Sequence, residues 1–371
     1  MKIAFVVNVD WFFISHRLPL ALHAIERGDE VYLLSYDTGR KSELEQNGIH
    51  FIDIPFERSG SNPIHEFKCI RALSRAYKKI KPDIIHHITL KASLLGCFAA
   101  KLAKQKCVVN AISGFGYMFT EDRKGIKQTI VKKLIHLSFK SNYFSFILQN
   151  PDDVEAVNNM HLVPDDNIYL IKGSGVNLKE YCYSEPKDHS KVICLFPARI
   201  LKDKGVLEFI QAAMLLKDEY EGKVKFVLAG DCDEENPAVL HETELKSKLI
   251  PDYIEWVGYQ KQMIPVYADS DIVVLPSYRE GLPKSLIEAS AIGRPIVTTD
   301  AIGCRECVAD GDNGYLVPIK DAKSLAASLK KLIDSKELRL RMGKRSRDLA
   351  ERDFSIASVI EKTFAIYDKY K

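Results

Sequence analysis

The chain has 371 residues, of which 46% are hydrophobic and 28% charged, and its formal charge is +3. That length exceeds one ordinary core and suits two domains of roughly 150–200 residues each, while the near-balanced charge gives no electrostatic case for nucleic-acid binding. No run of about 18 uncharged apolar residues occurs, so no membrane-spanning helix is expected.

In chain order, the N-terminus MKIAFVVNVDW reads as a first strand and not as a signal peptide, because Asp10 ends its apolar run and no small-residue cleavage site follows. The runs 2–9, 30–36, 51–55, 82–88, 107–112 and 142–148 are short, apolar and rich in β-branched or aromatic residues. Helical stretches such as 63–80 and 91–105 lie between them. Alternation of this kind predicts a parallel sheet with helices on both faces.

The segment 172–190, KGSGVNLKEYCYSEPKDHS, is rich in glycine, serine and charge and reads as a linker. The rhythm then restarts with strand-like runs at 191–200, 223–230, 253–258, 271–276, 294–299 and 313–318, and helical ones at 204–217, 239–249, 262–268 and 283–292. The tail 321–371 is helical by composition and amphipathic at Leu325, Leu329, Leu332 and Ile333. The fold expected is α/β, with two doubly wound Rossmann-like domains facing across a cleft. Their bounds are 1–175 and 176–355, and a final helix, 356–371, packs back on the first domain. Open α/β sheets bind ligands beyond the carboxyl ends of their strands, and two such domains suit a two-substrate reaction.

Two common readings of such a chain fail. The first strand is followed by NVDWFFISHR, which lacks the Gly-x-Gly-x-x-Gly turn of a dinucleotide site. The eight cysteines are scattered, most of them in apolar runs, and the Cys304-x-x-Cys307 pair has no second pair or His-x-x-x-His at metal spacing.

The stretch YREGLPKSLIEAS, 278–290, carries two glutamates eight positions apart. Glu280 precedes a Gly-Leu-Pro turn at a strand end, and Glu288 lies in the helix that Pro283 opens and Gly293 stops. The N–H groups of Gly281 and Leu282, with the helix dipole behind them, favour an anion. Glu288 leans back toward the strand ends, where a carboxylate suits a ribose diol. Glu280 is expected to meet sugar hydroxyls. Upstream, FPARILKDKGVLEFIQA puts Arg199 at a strand end and Lys204 at the start of the next helix, two cations able to clamp a diphosphate.

The segment 276–297 resembles the Glu-x7-Glu signature of retaining nucleotide-sugar transferases of the GT-B fold, glycosyltransferase family 4. Every position of P-S-x-x-E-G-x-P-x-S-x-x-E-A-x-A-x-G-x-P-(I/V)-V is present. The segment 196–212 resembles the family's Gly-Arg-Leu-x-x-x-Lys-Gly, with Ala198 for the glycine. IKGSGVNLKEY resembles its Asn-Gly-Val-Asp linker, with departures at Ser174 and Asn177, and the match marks Gly175 as a donor-site residue. GCRECVADGDNGYLV places Glu306 at a family glutamate, and AGDCDEENP stands where the family has a glycine-rich turn.

The resemblance implies a hexosyltransferase that moves a sugar from a nucleoside diphosphate to an acceptor hydroxyl with retention. Glu280, Arg199 and Lys204 are then catalytic, and Glu288, Gly281, Leu282 and Gly175 bind the donor. Neither cofactor nor metal is expected, the two cations Arg199 and Lys204 serving the diphosphate instead. On the N-terminal domain, His16 and Arg17 follow the first strand and suit an anionic acceptor. His86 and His87 end another strand, where family members carry a sugar-contacting histidine, and alternation lets one of the two face the cleft. Lys91 opens the next helix within reach of phosphate, and the loop 113–121 would line the cleft. The basic stretch 122–143, apolar at Ile126, Ile130, Leu134, Leu137 and Phe139, is a candidate for peripheral contact with the inner membrane.

The pattern is most similar to bacterial transferases that extend lipid-linked oligosaccharides, often from UDP-GalNAc, UDP-GlcNAc or UDP-galactose. A nucleotide sugar and a polyprenyl-diphosphate-linked saccharide are therefore the expected partners, and the cytoplasm, at the membrane's inner face, the expected place. The rival readings are a sugar-nucleotide epimerase of the same architecture and a non-catalytic nucleotide-sugar-binding subunit.

Overall fold

In a computed structural model of the protein, residues 1–57, 62–115 and 126–370 are described, 126–130 through their backbone alone. The chain forms two units, Met1–Ser174 with Ala357–Lys371, and Gly175–Ile356.

The first unit is built on a seven-stranded sheet of order β3-β2-β1-β4-β5-β6-β7. Its strands are β1 Lys2–Val6, β2 Glu30–Ser35, β3 His50–Asp53, β4 Ile84–Ile88, β5 Val108–Ile112, β6 Phe144–Leu148 and β7 Ile168–Leu170. All neighbouring pairs are parallel. The central strands β4, β5 and β6 are buried along their whole length, as strands covered on both faces must be, and they are mostly apolar, with His86, His87, Asn110 and Ser145 as buried polar exceptions. The helices are α1 Asp10–His16, α2 Leu18–Glu26, α3 Lys41–Gln46, α4 Pro63–Ile80, α5 Leu90–Leu102, α6 Ile126–Phe139 and α7 Pro151–Asn159. The expectation for 113–121 falls mostly outside the described residues, as does the start of the 122–143 stretch.

The second unit carries a six-stranded parallel sheet of order β10-β9-β8-β11-β12-β13. The strands are β8 Val192–Pro197, β9 Val224–Ala229, β10 Ile254–Trp256, β11 Ile272–Leu275, β12 Ile296–Thr299 and β13 Gly314–Val317. Between and after them come α8 Val206–Tyr220, α9 Glu242–Lys246, α10 Met263–Ala268, α11 Lys284–Ile292, α12 Ala322–Asp334 and α13 Lys336–Asp353. In both sheets the strand order reverses beside the first strand of the unit, between β1 and β4 and between β8 and β11. Such switch points are where open α/β sheets leave room for ligands.

The last helix, α14 Ile356–Asp368, completes the first unit. Phe364 packs on His23 with ring centres 5.1 Å apart and lies under the Arg27 guanidinium at 4.2 Å. Tyr367 is fully buried against His86. The two places where the chain passes between units lie side by side: Val176 N–H donates to Phe354 O at 2.8 Å, and Ile356 N–H to Val176 O at 3.0 Å.

Candidate active site

The loops after β8 and β11 meet at the switch point of the second sheet. Gly205 caps α8 in the left-handed conformation at φ +77°, and a Cβ there would stand 2.1 Å from Pro276 O. Only glycine lets the first loop close so tightly on the end of β11. The contact is then stitched by the backbone: Tyr278 N–H and Ser277 Oγ–H both donate to Asp203 O, at 2.9 and 3.1 Å. Tyr278 Oη–H also donates to the Glu208 carboxylate in the first turn of α8, at 2.8 Å.

This stitching brings Lys204 to Glu280. Lys204 Nζ lies 2.5 Å from Glu280 Oε1, with the two side chains only 19% and 13% exposed. Glu280 is held in place by its own N–H, which donates to Ile302 O at 2.9 Å in the loop after β12. The Cys304 thiol of that loop is buried, and burial together with the nearby Glu280 charge pushes its pKa up to about 12. All eight cysteines are free, including Cys304 and Cys307.

Arg199 belongs to the same loop as Lys204 but does not reach Glu280. Its Nη1 donates to Asp233 Oδ2 at 2.7 Å, in the loop after β9. Each of the two cations expected to grip a diphosphate is thus paired with a carboxylate. Asp233 escaped the sequence reading. The signal that marks it is the acidic run DCDEE directly after a strand, where a neighbouring loop is basic.

Glu288 lies in the second turn of α11 and is 7% exposed. It accepts from Tyr267 Oη–H at 3.1 Å, hydrogen bonds with Tyr181, and lies 3.5 Å from Lys284 Nζ. Burial raises its pKa, and the Lys284 charge and the two phenols only partly offset that. The expectation of a carboxylate open to a ribose is thus modified, since protein groups hold it in place. Gly281 and Leu282 precede α11 as expected, and Leu282 is buried.

Gly175 lies elsewhere. It has φ +78°, and a Cβ there would stand 2.7 Å from Ile356 Cα. Its geometry is that of a close backbone crossing, which by itself accounts for a glycine at this position.

In the first unit, Arg17 sits at the break between α1 and α2 and is 6% exposed. Its Nη1 donates to His16 O at 3.3 Å, its Nε has no hydrogen-bond partner among the described residues, and burial lowers its pKa to about 10. His16 is half-buried, stacked on Phe12 at 4.0 Å, with Nδ1 2.6 Å from Ser15 Oγ. Lys91 Nζ, in the first turn of α5, pairs with Glu66 at 2.8 Å and donates to Glu57 O at 2.9 Å.

The two histidines of β4 are corrected more sharply. They point to opposite faces as alternation requires, but both are inside the unit, 1% and 0% exposed. His87 bonds Tyr77 Oη at 3.1 Å through Nε2 and Asn110 Oδ1 at 2.8 Å through Nδ1. His86 Nδ1 bonds the Tyr367 hydroxyl. Helices α5 and α14 cover the strand in mid-sheet, so both residues serve the core.

The chain matches two family models: the Glycosyl transferase 4-like model over residues 2–150 and the Glycosyl transferases group 1 model over 180–349. It is 30% identical, over 100% of its length and 99% of the relative's, to an N,N'-diacetylbacillosaminyl-diphospho-undecaprenol alpha-1,3-N-acetylgalactosaminyltransferase of Campylobacter jejuni. It is 25% identical, over 91% of its length and 88% of the relative's, to a UDP-Gal:alpha-D-GlcNAc-diphosphoundecaprenol alpha-1,3-galactosyltransferase of Escherichia coli. A crystal structure of Anabaena Alr3699/HepE with UDP and glucose superposes with a TM-score of 0.78 at 17% identity, covering 98% of each chain. With both halves matched in order, and a named transferase related along the whole length, the chain belongs to the glycosyltransferases of GT-B fold and family-4 type.

Proposed function

We propose that the enzyme transfers an N-acetylhexosamine or hexose from its UDP derivative to a hydroxyl of a polyprenyl-diphosphate-linked saccharide, during the building of a surface polysaccharide or glycan. UDP-GalNAc, UDP-GlcNAc and UDP-galactose are the favoured donors. The observation that carries the reading is the Lys204–Glu280 pair, set at the switch point with Arg199 in the same loop. The names of both relatives support it, since each acts on a diphosphoundecaprenol-linked sugar and makes an α-linkage. UDP-activated sugars of this kind are themselves α-configured, so an α-product is a retained one.

In this reading, the bond from the anomeric carbon to the diphosphate breaks with its electron pair leaving on the phosphate oxygen. Arg199 and Lys204 stabilise that growing charge, and no metal ion is needed. Arrival of the diphosphate draws Lys204 away from Glu280, whose carboxylate is then released to the sugar hydroxyls. The acceptor oxygen attacks from the same face and passes its proton to the departing phosphate. Glu288 holds the ribose, and the amides of Gly281 and Leu282 face the phosphate. The buried Arg17, with His16 and Lys91, serves the anionic acceptor.

Among the described residues no helix is long and apolar enough to cross a membrane. We infer peripheral contact at the cytoplasmic face instead. Leu134 and Leu137 of α6 are exposed, as are Leu102 at the end of α5 and Tyr143. Lys101 Nζ ties these helix ends together, donating to Leu137 O at 2.6 Å and Lys140 O at 3.0 Å, and Lys104, Lys106, Lys132, Lys133 and Lys140 are exposed nearby. Phe139 and Ile135 turn inward and are buried, so the membrane-facing set is smaller than the sequence suggested.

The test is UDP release from a panel of nucleotide sugars with a lipid-linked acceptor extract, with and without EDTA. Arg199→Ala, Lys204→Ala and Glu280→Ala should each lower turnover by about a hundredfold or more. EDTA should leave the rate unchanged. Wild-type rates in the three variants would remove the proposed site.

A further inference from the structure

The acidic turn after β9 stands where the family resemblance leads one to expect glycines, and its contact with Arg199 has a particular asymmetry. Asp233 is only 13% exposed, whereas the Arg199 side chain is 51% exposed. The carboxylate is an anchored partner, and the guanidinium is fixed by one corner. Among the described residues Arg199 donates through Nη1 to Asp233, and a guanidinium has five N–H donors in a rigid fork. The edge away from Asp233 is left open.

The anchor itself is rigid. Ile200 N–H donates to Asp231 O at 2.9 Å, and Lys202 N–H to Ala238 O at 2.7 Å, so the loop after β9 runs alongside the loop after β8. Asn236 N–H donates to Asp233 O at 2.8 Å and closes the acidic turn on itself. Gly230, where the turn leaves β9, lies so close that a Cβ on it would stand 1.9 Å from Ala198 O. Trp256 Nε1–H donates to Gly230 O at 2.7 Å and fixes the same point from β10.

We propose that Asp233 is a positioning residue for the donor: it holds the Arg199 guanidinium so that the open edge of the fork meets the diphosphate. This rests on the donor-site reading given above. An arginine on a long, half-exposed side chain samples many rotamers, and one fixed hydrogen bond removes most of that freedom before the ligand arrives. Asp233 acts through Arg199 and does not itself touch the nucleotide. An opposite role, in which the carboxylate competes with phosphate for the guanidinium, predicts the reverse sign on removal.

The experiment is calorimetric titration of UDP into the full-length protein and its variants. Asp233→Ala should weaken UDP binding about tenfold, and Asp233→Asn, which keeps an acceptor at the same place, only about two- to threefold. Arg199→Ala should weaken it at least as much as Asp233→Ala, and Asp233→Ala added to Arg199→Ala should cost nothing more, since the two groups form one unit. A merely structural role for Asp233 would persist in the Arg199→Ala background, and that result overturns the proposal. Unchanged or tighter UDP binding by Asp233→Ala overturns it as well. If Asp233→Ala does not fold, the same cycle run with Asp233→Asn decides, its smaller loss having to vanish without Arg199. Should Arg199→Ala bind UDP like wild type, the donor-site reading fails and this inference with it. If Arg199→Ala weakens binding and the Asp233 variants do not, this inference alone fails.

Discussion

Lys204 and Glu280 neutralise each other, and neither is left as an isolated charge in a poorly hydrated place, where it would be costly. Glu288 is in the less comfortable position. Its pKa is raised, chiefly by burial. The folded protein therefore favours the protonated acid, and this contribution to stability is full below the ordinary glutamate range and lost as pH rises through the raised value. Thermal unfolding of the ligand-free protein should show Glu288→Gln at least as stable as wild type at about pH 8, with the difference closing near pH 4. A variant less stable than wild type at the higher pH would mean that the two tyrosines stabilise the carboxylate more than burial harms it. The glutamate pair was legible in the sequence because its eight-residue spacing and flanking turn are local. Asp233 was not, being 34 positions from Arg199. Nor was the fate of His86, whose partner Tyr367 lies 281 positions away on α14. Strand alternation correctly set the two histidines on opposite faces, but it carries no information about which helices cover a strand in mid-sheet.

Among the elements, the strands of both sheets were readable because a strand covered on both faces is mostly apolar. The one missed, β7, has three residues, none of them fully buried, and so leaves no such run. The helix expected over 239–249 shrank to Glu242–Lys246, a segment with a single buried residue, Leu245, to hold it. Arg17 stands at the break between α1 and α2. The junction of α8 with β11 yields an element-scale expectation. Gly205→Ala combines a left-handed φ with a Cβ 2.1 Å from Pro276 O. It should destabilise the protein by about 3 kcal/mol or more and lower UDP release by prising Lys204 from Glu280. Gly222→Ala is the control: its φ is also positive, +82°, but the space around it is open, and about 1 kcal/mol is expected. Equal melting temperatures for the two variants would show that backbone conformation, not the contact with β11, sets the cost.

For the molecule as a whole, the sequence put the change of unit at 175/176 and the structure puts it at 174/175, with α14 counted in the first unit. The final helix, expected from the sequence to pack back on the first domain, lies in the first unit with Tyr367 against His86. The surface patch around α6 gives the test at this scale. The protein should sediment with vesicles containing phosphatidylglycerol and stay in solution with purely zwitterionic ones. The double substitution Leu134→Ser and Leu137→Ser should lower the bound fraction about fivefold or more. Binding that ignores lipid charge, or survives the double substitution, would locate the contact elsewhere.

The place of α14 also governs when each half can finish folding during synthesis. Everything that Gly175–Ile356 needs has left the ribosome before the first unit receives its last helix. The half that begins the chain is thus completed last, and until then His86 on β4 lacks the cover that Tyr367 of α14 later supplies.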